Sequence, residues 1–460
     1  MNRREFVAGV GAAGVMVSLP CFGQGAKATL TIGVGAAGAA IPRDFVGLSY
    51  ESAQLANPAF FSAGNKELIA LFRGLSPSGN LRLGGGSSEF TTFSDAESSG
   101  PPPFEVFGPD TSKTVKHGTV TTALALRNLR AFLDATGWSC LYGLNLGQGT
   151  KENAAAEAAA AFAILGPRLM AFQIGNEPDS FRNRYRPATW GPADYMKEWN
   201  TFHDAIVAKT PGAKFAGPDI SNKLAFLTAF AEEAPRHKDV ILLTAHYYAM
   251  GPARSPDATL EQLAQPEPKL ATMKAAGFAA VAEAMKTAGL PFRMSEGNSC
   301  WDGGKPDVSD TLASALWCAD MMLRFAQMGW CGVNLHGGGN GFYTPIAGAP
   351  STGFTRRPEY YGVQFGQSLV GAQFLDSSLR GDTAELKAYA FVQAGRRRIA
   401  MINKTQTAVT VILPGRTSGR AMKLRGASLE SKDGITFGAV RVPHSREVVV
   451  EGHTGMIYEI

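Results

Sequence analysis

The chain has 460 residues, 45% hydrophobic and 18% charged, with 44 Lys+Arg against 39 Asp+Glu and a net charge of +5. That balance excludes intrinsic disorder, which needs low hydrophobicity and high net charge. It gives no ground for nucleic-acid binding, because the only basic run, Arg396-Arg397-Arg398, interrupts an apolar stretch.

In chain order, Arg3-Arg4 precede a weakly apolar Gly/Ala-rich run ending near Leu19. This predicts an export signal of the twin-arginine type over residues 1–25, and hence a periplasmic or secreted bacterial protein. The run is too short to span a bilayer, and no later run reaches about 18 apolar residues, so no membrane span is expected in the mature protein. An alternating strand at 28–34, within a 26–43 segment, is expected to cross over and join the C-terminal domain. Short apolar runs then recur at 45–50, 81–83, 140–146, 170–175, 214–216, 240–248, 292–295 and 332–335. Helical stretches at 121–136, 154–165, 192–209, 271–288 and 309–328 separate several of them. Eight strands alternating with helices predict an α/β protein with a (β/α)₈ TIM barrel over 44–360. A doubly wound sheet is the alternative, but no G-x-G-x-x-G follows the first strand.

After residue 360 the texture changes. Short alternating segments at 386–392, 398–402, 409–413, 422–425, 440–442, 448–450 and 456–460 predict an antiparallel β-sandwich over 361–460. One stretch stands apart: 87–118 contains Pro101-Pro102-Pro103 and follows strand two. Loops after barrel strands lie on the catalytic face, which puts this one at the mouth of a site. Cys140, Cys300, Cys318 and Cys331 show no C-x-x-C spacing and read as free thiols, not as a metal site. Asn403-Lys404-Thr405 fits a glycosylation sequon. No cofactor motif is present.

Two carboxylates carry the chemistry. Gln173-Ile174-Gly175-Asn176-Glu177-Pro178-Asp179 follows strand four, and Arg293-Met294-Ser295-Glu296-Gly297-Asn298 ends strand seven. Side chains at the C-terminal ends of barrel strands point into a shared pocket. Strands four and seven face each other across the mouth, so Glu177 and Glu296 can flank one scissile bond. Glycoside hydrolysis needs this pair: one carboxylic acid protonates the leaving oxygen, and the other carboxylate attacks the anomeric carbon. Asn176 offers an amide to a sugar 2-hydroxyl. Trp301, soon after Glu296, suits the apolar face of a sugar or the core. His246 has no His/Asp/Glu cluster beside it in sequence, so it is not expected to bind a metal.

The chain resembles the retaining barrel glycosidases that carry acid/base and nucleophile on strands four and seven. Within them it is similar to glycoside hydrolase family 79, the heparanase and β-glucuronidase family. The similar stretches are Gly47-Leu48-Ser49-Tyr50-Glu51, Leu81-Arg82-Leu83-Gly84-Gly85-Gly86, Gly175-Asn176-Glu177-Pro178, Ala245-His246-Tyr247-Tyr248, Ser295-Glu296 with Ser309-Asp310-Thr311, and Gly337-Gly338-Gly339-Asn340. They run through the barrel in the family's order. The resemblance implies Glu177 as acid/base, Glu296 as nucleophile and net retention. It implies that Glu51 binds sugar hydroxyls, that Arg82 supports the nucleophile by its charge or serves as a core ion-pair partner, and that a Tyr after His246 donates to the nucleophile. Strand alternation lets only one of Tyr247 and Tyr248 point inward; Tyr248 is preferred. The resemblance also implies that Gly338 and Gly339 amides, with the Tyr343 hydroxyl, hold a uronic carboxylate. Here Gly341-Phe342 intervene between Asn340 and Tyr343, whereas heparanase has Tyr directly after Asn.

The resulting expectation is a retaining β-glucuronidase acting on a glucuronic-acid-containing carbohydrate, with the 87–118 loop closing one side of the cleft and making it exo-acting. Rival readings are an endo-acting heparanase-like enzyme, a barrel glycosidase for neutral sugars, and a non-catalytic carbohydrate-binding barrel. A serine hydrolase lacks its Gly-x-Ser-x-Gly elbow.

Overall fold

The computed structural model describes residues 26–95, 119–381 and 386–460. The expected export signal and residues 96–118 of the long loop lie outside these. Among the described residues no helix is long and apolar enough to cross a membrane.

Eight parallel strands close into a barrel: Val46–Glu51, Asn80–Gly84, Ser139–Leu144, Leu169–Ile174, Phe215–Ile220, Val240–Tyr248, Phe292–Asn298 and Gly332–His336. Closure is direct, with Val333 opposite Val46 and Leu335 opposite Leu48. This excludes the doubly wound sheet, which has two open edges. The helices are set by local chemistry. Thr122 and Thr150 cap Ala123–Thr136 and Lys151–Leu165 by accepting backbone N–H bonds at 3.2 Å. Gly137, at φ 83°, ends the first of these in the left-handed conformation. Helix Leu312–Gln327 is buried on almost every side, as expected of an element lying between two domains.

The second domain is one curled nine-stranded sheet. The seven C-terminal segments expected from alternation are all strands in it, and Gln373–Gly381 adds an eighth. The ninth is Ala26–Ala40, which pairs antiparallel with Gln373–Gly381 and parallel with Val409–Ile412. One face packs Leu30, Ile399, Met401, Val411 and Tyr458 together. The other face (Phe391, Ala400, Ile402 and Ile457) merges with the core around the barrel helices.

The long loop is partly built. Its start forms a 3₁₀ turn, Gly86–Phe90, and strand Thr91–Ser94, which pairs with Thr119–Thr122 at its far end. Cys140, Cys300, Cys318 and Cys331 are free thiols, the first three buried. Asn403 is fully buried and its amide donates to the carbonyls of Thr407, Val450 and Glu451 at 2.8–3.1 Å, so the sequon is closed to glycosylation in the folded chain.

A buried ion pair ties the domains. Lys404 Nζ lies 2.8 Å from Asp320 Oδ2 on helix Leu312–Gln327, and the Tyr389 hydroxyl donates to Asp320 Oδ1 at 2.7 Å. Removing one partner leaves a buried uncompensated charge. Lys404→Met is therefore expected to destabilise by about 3–5 kcal/mol in denaturant unfolding, and Lys404→Met with Asp320→Leu by much less. Equal loss in the single and double variants would contradict this.

Candidate active site

The chain after strand four is forced into an unusual path. Gly175 takes φ 88°, and a Cβ there would collide with Leu146. Glu177 itself sits at φ 48°, a left-handed conformation costly for a side-chain-bearing residue. Backbone bonds hold it: Glu177 N–H donates to the Asp219 carbonyl at 2.9 Å, and Ser180 N–H donates to the Glu177 carbonyl at 2.8 Å. Asp179 accepts from the Ser221, Asn222 and Lys223 backbone at 2.9–3.1 Å, pinning the turn after strand five beneath it. The strain aims the Glu177 carboxyl across the mouth.

There, Glu177 Oε1 is 2.9 Å from His246 Nδ1, and His246 Nε2 is 3.2 Å from Asp219 Oδ1. Glu296 Oε1 accepts from the Tyr248 hydroxyl at 2.8 Å, and Oε2 accepts from Arg82 Nη1 at 2.6 Å. Arg82 is fully buried and spreads its donors over Gln173 (3.1 Å), Ser49 (3.2 Å), Asn176 (2.7 Å), Asp219 and Glu296. Arg82 thus pairs with both Glu296 and Asp219 inside the barrel. An oxygen of Glu177 and one of Glu296 lie within 4.8 Å of each other.

The two carboxyls are pushed apart electrostatically. Burial raises the Glu177 carboxyl above its ordinary value, with the negative charges of Glu296 and Asp179 adding to it and His246 opposing. Burial would raise Glu296 too, but His336, His246 and Arg82, with the Tyr248 hydrogen bond, outweigh it and hold Glu296 at about 2. For His246, burial disfavours the cation, but Glu296 and Asp219 outweigh that and raise the ring well above the ordinary imidazole value.

Most of the expected shell converges on one cavity of about 410 Å³: Glu51, Asn176, Tyr248, Trp301 and Tyr343 line it with the two glutamates. Glu51 Oε2 accepts from Ser87 N–H at 2.7 Å. Trp301 stands edge-on to Tyr248, centroids 6.0 Å apart.

Three expectations are corrected. Tyr247 faces outward and packs on Phe325 and Phe278, because strand alternation spends the inward position on Tyr248. Gly338 and Gly339 do not line the cavity: the loop folds back on Thr344, whose Oγ1 takes the Gly338 N–H at 3.0 Å, while the Gly339 carbonyl accepts from Gly348. His246 does have acidic company, since its ligand atom and those of Glu177 and Glu296 lie within 4.8 Å of one another. Three strands bring them together, which sequence spacing cannot display. Arg82 at 2.6 Å from Glu296 already offsets part of the negative charge of that cluster.

Sequence reasoning missed Asp219, Glu89 and His336. Asp219 ends strand five, where the strand-end rule used for Glu177 would have found it had the strand been extended beyond Ala216. His336 ends strand eight and lies 3.8 Å from Glu296 and 3.6 Å from Glu51. Glu89 was lost in the long loop. It is buried and accepts the backbone N–H groups of Asn176, Gly147 and Leu146, clamping the turns after strands three and four. Burial pushes its carboxyl up to about 7, against those same N–H donors.

No family model matches the chain. It is 30% identical over 255 residues to a β-glucuronidase of Neurospora crassa, a match covering 48% of this chain and 44% of that protein. It is 24% identical over 437 residues to a β-glucuronidase of Aspergillus niger, covering 86% of this chain and 78% of that protein. The chain thus spans less than half of the Neurospora relative and over three quarters of the Aspergillus one. Among solved structures, a 4-O-α-L-rhamnosyl-β-D-glucuronidase from Fusarium oxysporum 12S superposes with a TM-score of 0.71 at 18% identity over 93% of this chain and 100% of that one. A GH51 arabinofuranosidase from Xanthomonas axonopodis pv. citri superposes with a TM-score of 0.66 at 15% identity over 94% and 99%. At these identities the structural likeness establishes the fold: the chain has the barrel-and-sheet architecture of TIM-barrel glycosidases.

Proposed function

We propose that this chain is a retaining β-glucuronidase of the family 79 type, removing terminal β-D-glucuronic acid from a glycan or glucuronide. The observation that carries it is the carboxylate pair, with an oxygen of each within 4.8 Å of the other and the two carboxyls shifted in opposite directions, Glu177 up and Glu296 down. Retaining glycosidases hold their carboxyls about 5–5.5 Å apart, whereas inverting ones leave about 6.5–9.5 Å for a water. The β-glucuronidase relatives support the sugar.

Glu296, ionised and oriented by Arg82 and Tyr248, attacks the anomeric carbon. Glu177 delivers its proton to the leaving oxygen, and His246 at 2.9 Å steadies the carboxylate that results. Glu177 then takes a proton from water, which opens the glycosyl ester and frees Glu296. Asn176, held through its Oδ1 by Arg82, turns its amide to the sugar 2-hydroxyl. Tyr343, whose hydroxyl stays protonated through burial beside Glu296 and Glu51, donates to the uronic carboxylate without the Gly338 and Gly339 amides. Exo action and export by the twin-arginine route belong to this proposal.

Paired chromogenic β-D-glucuronide and β-D-glucoside test it. Glucuronide turnover is expected; glucoside turnover in its place would overturn the carboxylate reading. Release of internal glucuronide bonds from a chain blocked at its nonreducing end would overturn exo action.

The pH profile follows from the two shifts. Activity needs Glu296 ionised and Glu177 protonated. It is expected to fall as pH drops towards about 2, and to fall again as pH rises through the elevated pKa of Glu177. The alkaline limb is expected to vanish in Glu177→Ala assayed with an activated leaving group; a limb left in place would assign it elsewhere.

Glu89 acts here as a positioning residue. Misplacement of about 1 Å costs on the order of 10²-fold, so Glu89→Ala is expected to lower kcat by about that factor with KM little changed. Glu89→Gln keeps one of the two acceptor oxygens and should recover part of the loss. Equal losses in both variants would contradict the clamp.

A further inference from the structure

A second cluster lies far from the cavity. His203 on helix Pro192–Lys209, and His237 and Asp239 in the turn before strand Val240–Tyr248, bring one ligand atom each to within 4.8 Å of one another. The turn precedes the N-terminal end of a barrel strand, so the cluster is on the face opposite the catalytic mouth. We propose that His203, His237 and Asp239 form a structural site for a zinc-like divalent ion, independent of the hydrolytic reading.

The His203 ring points to it. Its Nδ1 is 3.1 Å from Asp204 Oδ1 and its Nε2 is 3.1 Å from Asp239 Oδ2. A neutral imidazole carries one N–H. In the tautomer that donates Nδ1–H to Asp204, the Nε2 lone pair faces both Asp239 oxygens at 3.1–3.2 Å, an arrangement that a shared cation satisfies. Metal-bound histidines commonly donate their other nitrogen to a carboxylate in this way. The 3.1 Å gap also matches two ligands of one ion, since metal bonds of 2.0–2.1 Å at tetrahedral angles separate ligand atoms by about 3.3 Å.

His237 supplies the second observation. Its Nε2 is buried without a hydrogen-bond partner, with Glu233 Oε1 no nearer than 3.5 Å. Trp199 packs against both rings, stacking on His203 at 5.0 Å and meeting His237 edge-on at 5.3 Å. The His237 ligand atom lies within 4.8 Å of the other two, so an ion would draw it in by on the order of 1.5 Å. Two imidazoles and one carboxylate suit zinc, nickel or copper, and do not suit calcium or magnesium, which take oxygen ligands. The fourth position opens onto a surface depression edged by the exposed Lys214, Arg236 and Lys238, which favour an anion there. An ion so placed would staple helix Pro192–Lys209 to the start of a barrel strand.

Calorimetric titration of the metal-stripped full chain with zinc chloride, and separately with calcium chloride, tests this. One zinc site is expected, with a rise in thermal midpoint and no comparable calcium binding. His203→Ala, His237→Ala and Asp239→Asn should each abolish that site with the circular dichroism of the fold intact, and Asp204→Asn should weaken it about 10- to 100-fold. Glu296→Gln should bind zinc as the wild type does. Absence of zinc binding by the wild type, equal binding of calcium, or zinc binding that survives both histidine substitutions and disappears in Glu296→Gln, would each overturn the proposal.

Discussion

Glu296→Gln is expected to lose about 10⁴-fold or more in glucuronide turnover while remaining folded. An amide cannot attack the anomeric carbon, and the loss should not depend on the leaving group. The fold should persist because Arg82 retains Asp219 as its anionic partner, and the amide oxygen can still accept from Tyr248 or Arg82. Glu177→Gln should behave differently. Its first step needs a proton only for a poor leaving group, so an activated aryl glucuronide should form glycosyl-enzyme rapidly and then release it slowly. A burst in Glu177→Gln with none in Glu296→Gln separates the two roles. The reverse pattern would exchange them.

Arg82→Met is expected to be the most damaging single change, in stability and activity together. The guanidinium is fully buried and bonded to five side chains, two of them carboxylates. Its removal strands Asp219 and Glu296 in the barrel without their cation, a loss of about 3–5 kcal/mol or more by denaturant unfolding. It also removes one of the charges holding Glu296 ionised, so in any protein that folds the acid limb of the pH profile should move to higher pH. Arg82→Lys should rescue little, because a single ammonium cannot match a planar fork directed at five acceptors. Full rescue by lysine would mean that charge alone matters.

Much of this was legible in the chain. The eight barrel strands announce themselves as apolar runs, and the Glu177 and Glu296 positions follow from strand-end placement. What escaped did so for identifiable reasons. Helices Lys66–Leu75 and Leu224–Glu233 have only ten residues each, too short for periodicity to separate them from a buried strand. Helix Pro358–Gln367 contains Gly362 and Gly366, which read as breakers; in the fold they allow close approach to helix Leu312–Gln327, where a Cβ would strike Ala315 or Met322. Strand Gln373–Gly381 carries the polar run Asp376-Ser377-Ser378 and is largely exposed, so neither alternation nor an apolar run marks it. In the site, Asp219 was hidden by Gly217-Pro218, which reads as a turn although the strand runs through it. In the Gly337–Gly341 loop the opposite holds: a stretch that carries the family resemblance spends the Gly338 amide on its own fold.

The proposed reaction turns on the covalent step at Glu296. Its most direct test is intact-mass and peptide mapping after incubation with 2-deoxy-2-fluoro-β-D-glucuronyl fluoride, which slows release of a glycosyl-enzyme more than its formation. One added 2-deoxy-2-fluoroglucuronyl mass is expected on the peptide bearing Glu296. An enzyme that stays unlabelled while hydrolysing the reagent, or a label on any other residue, would contradict it.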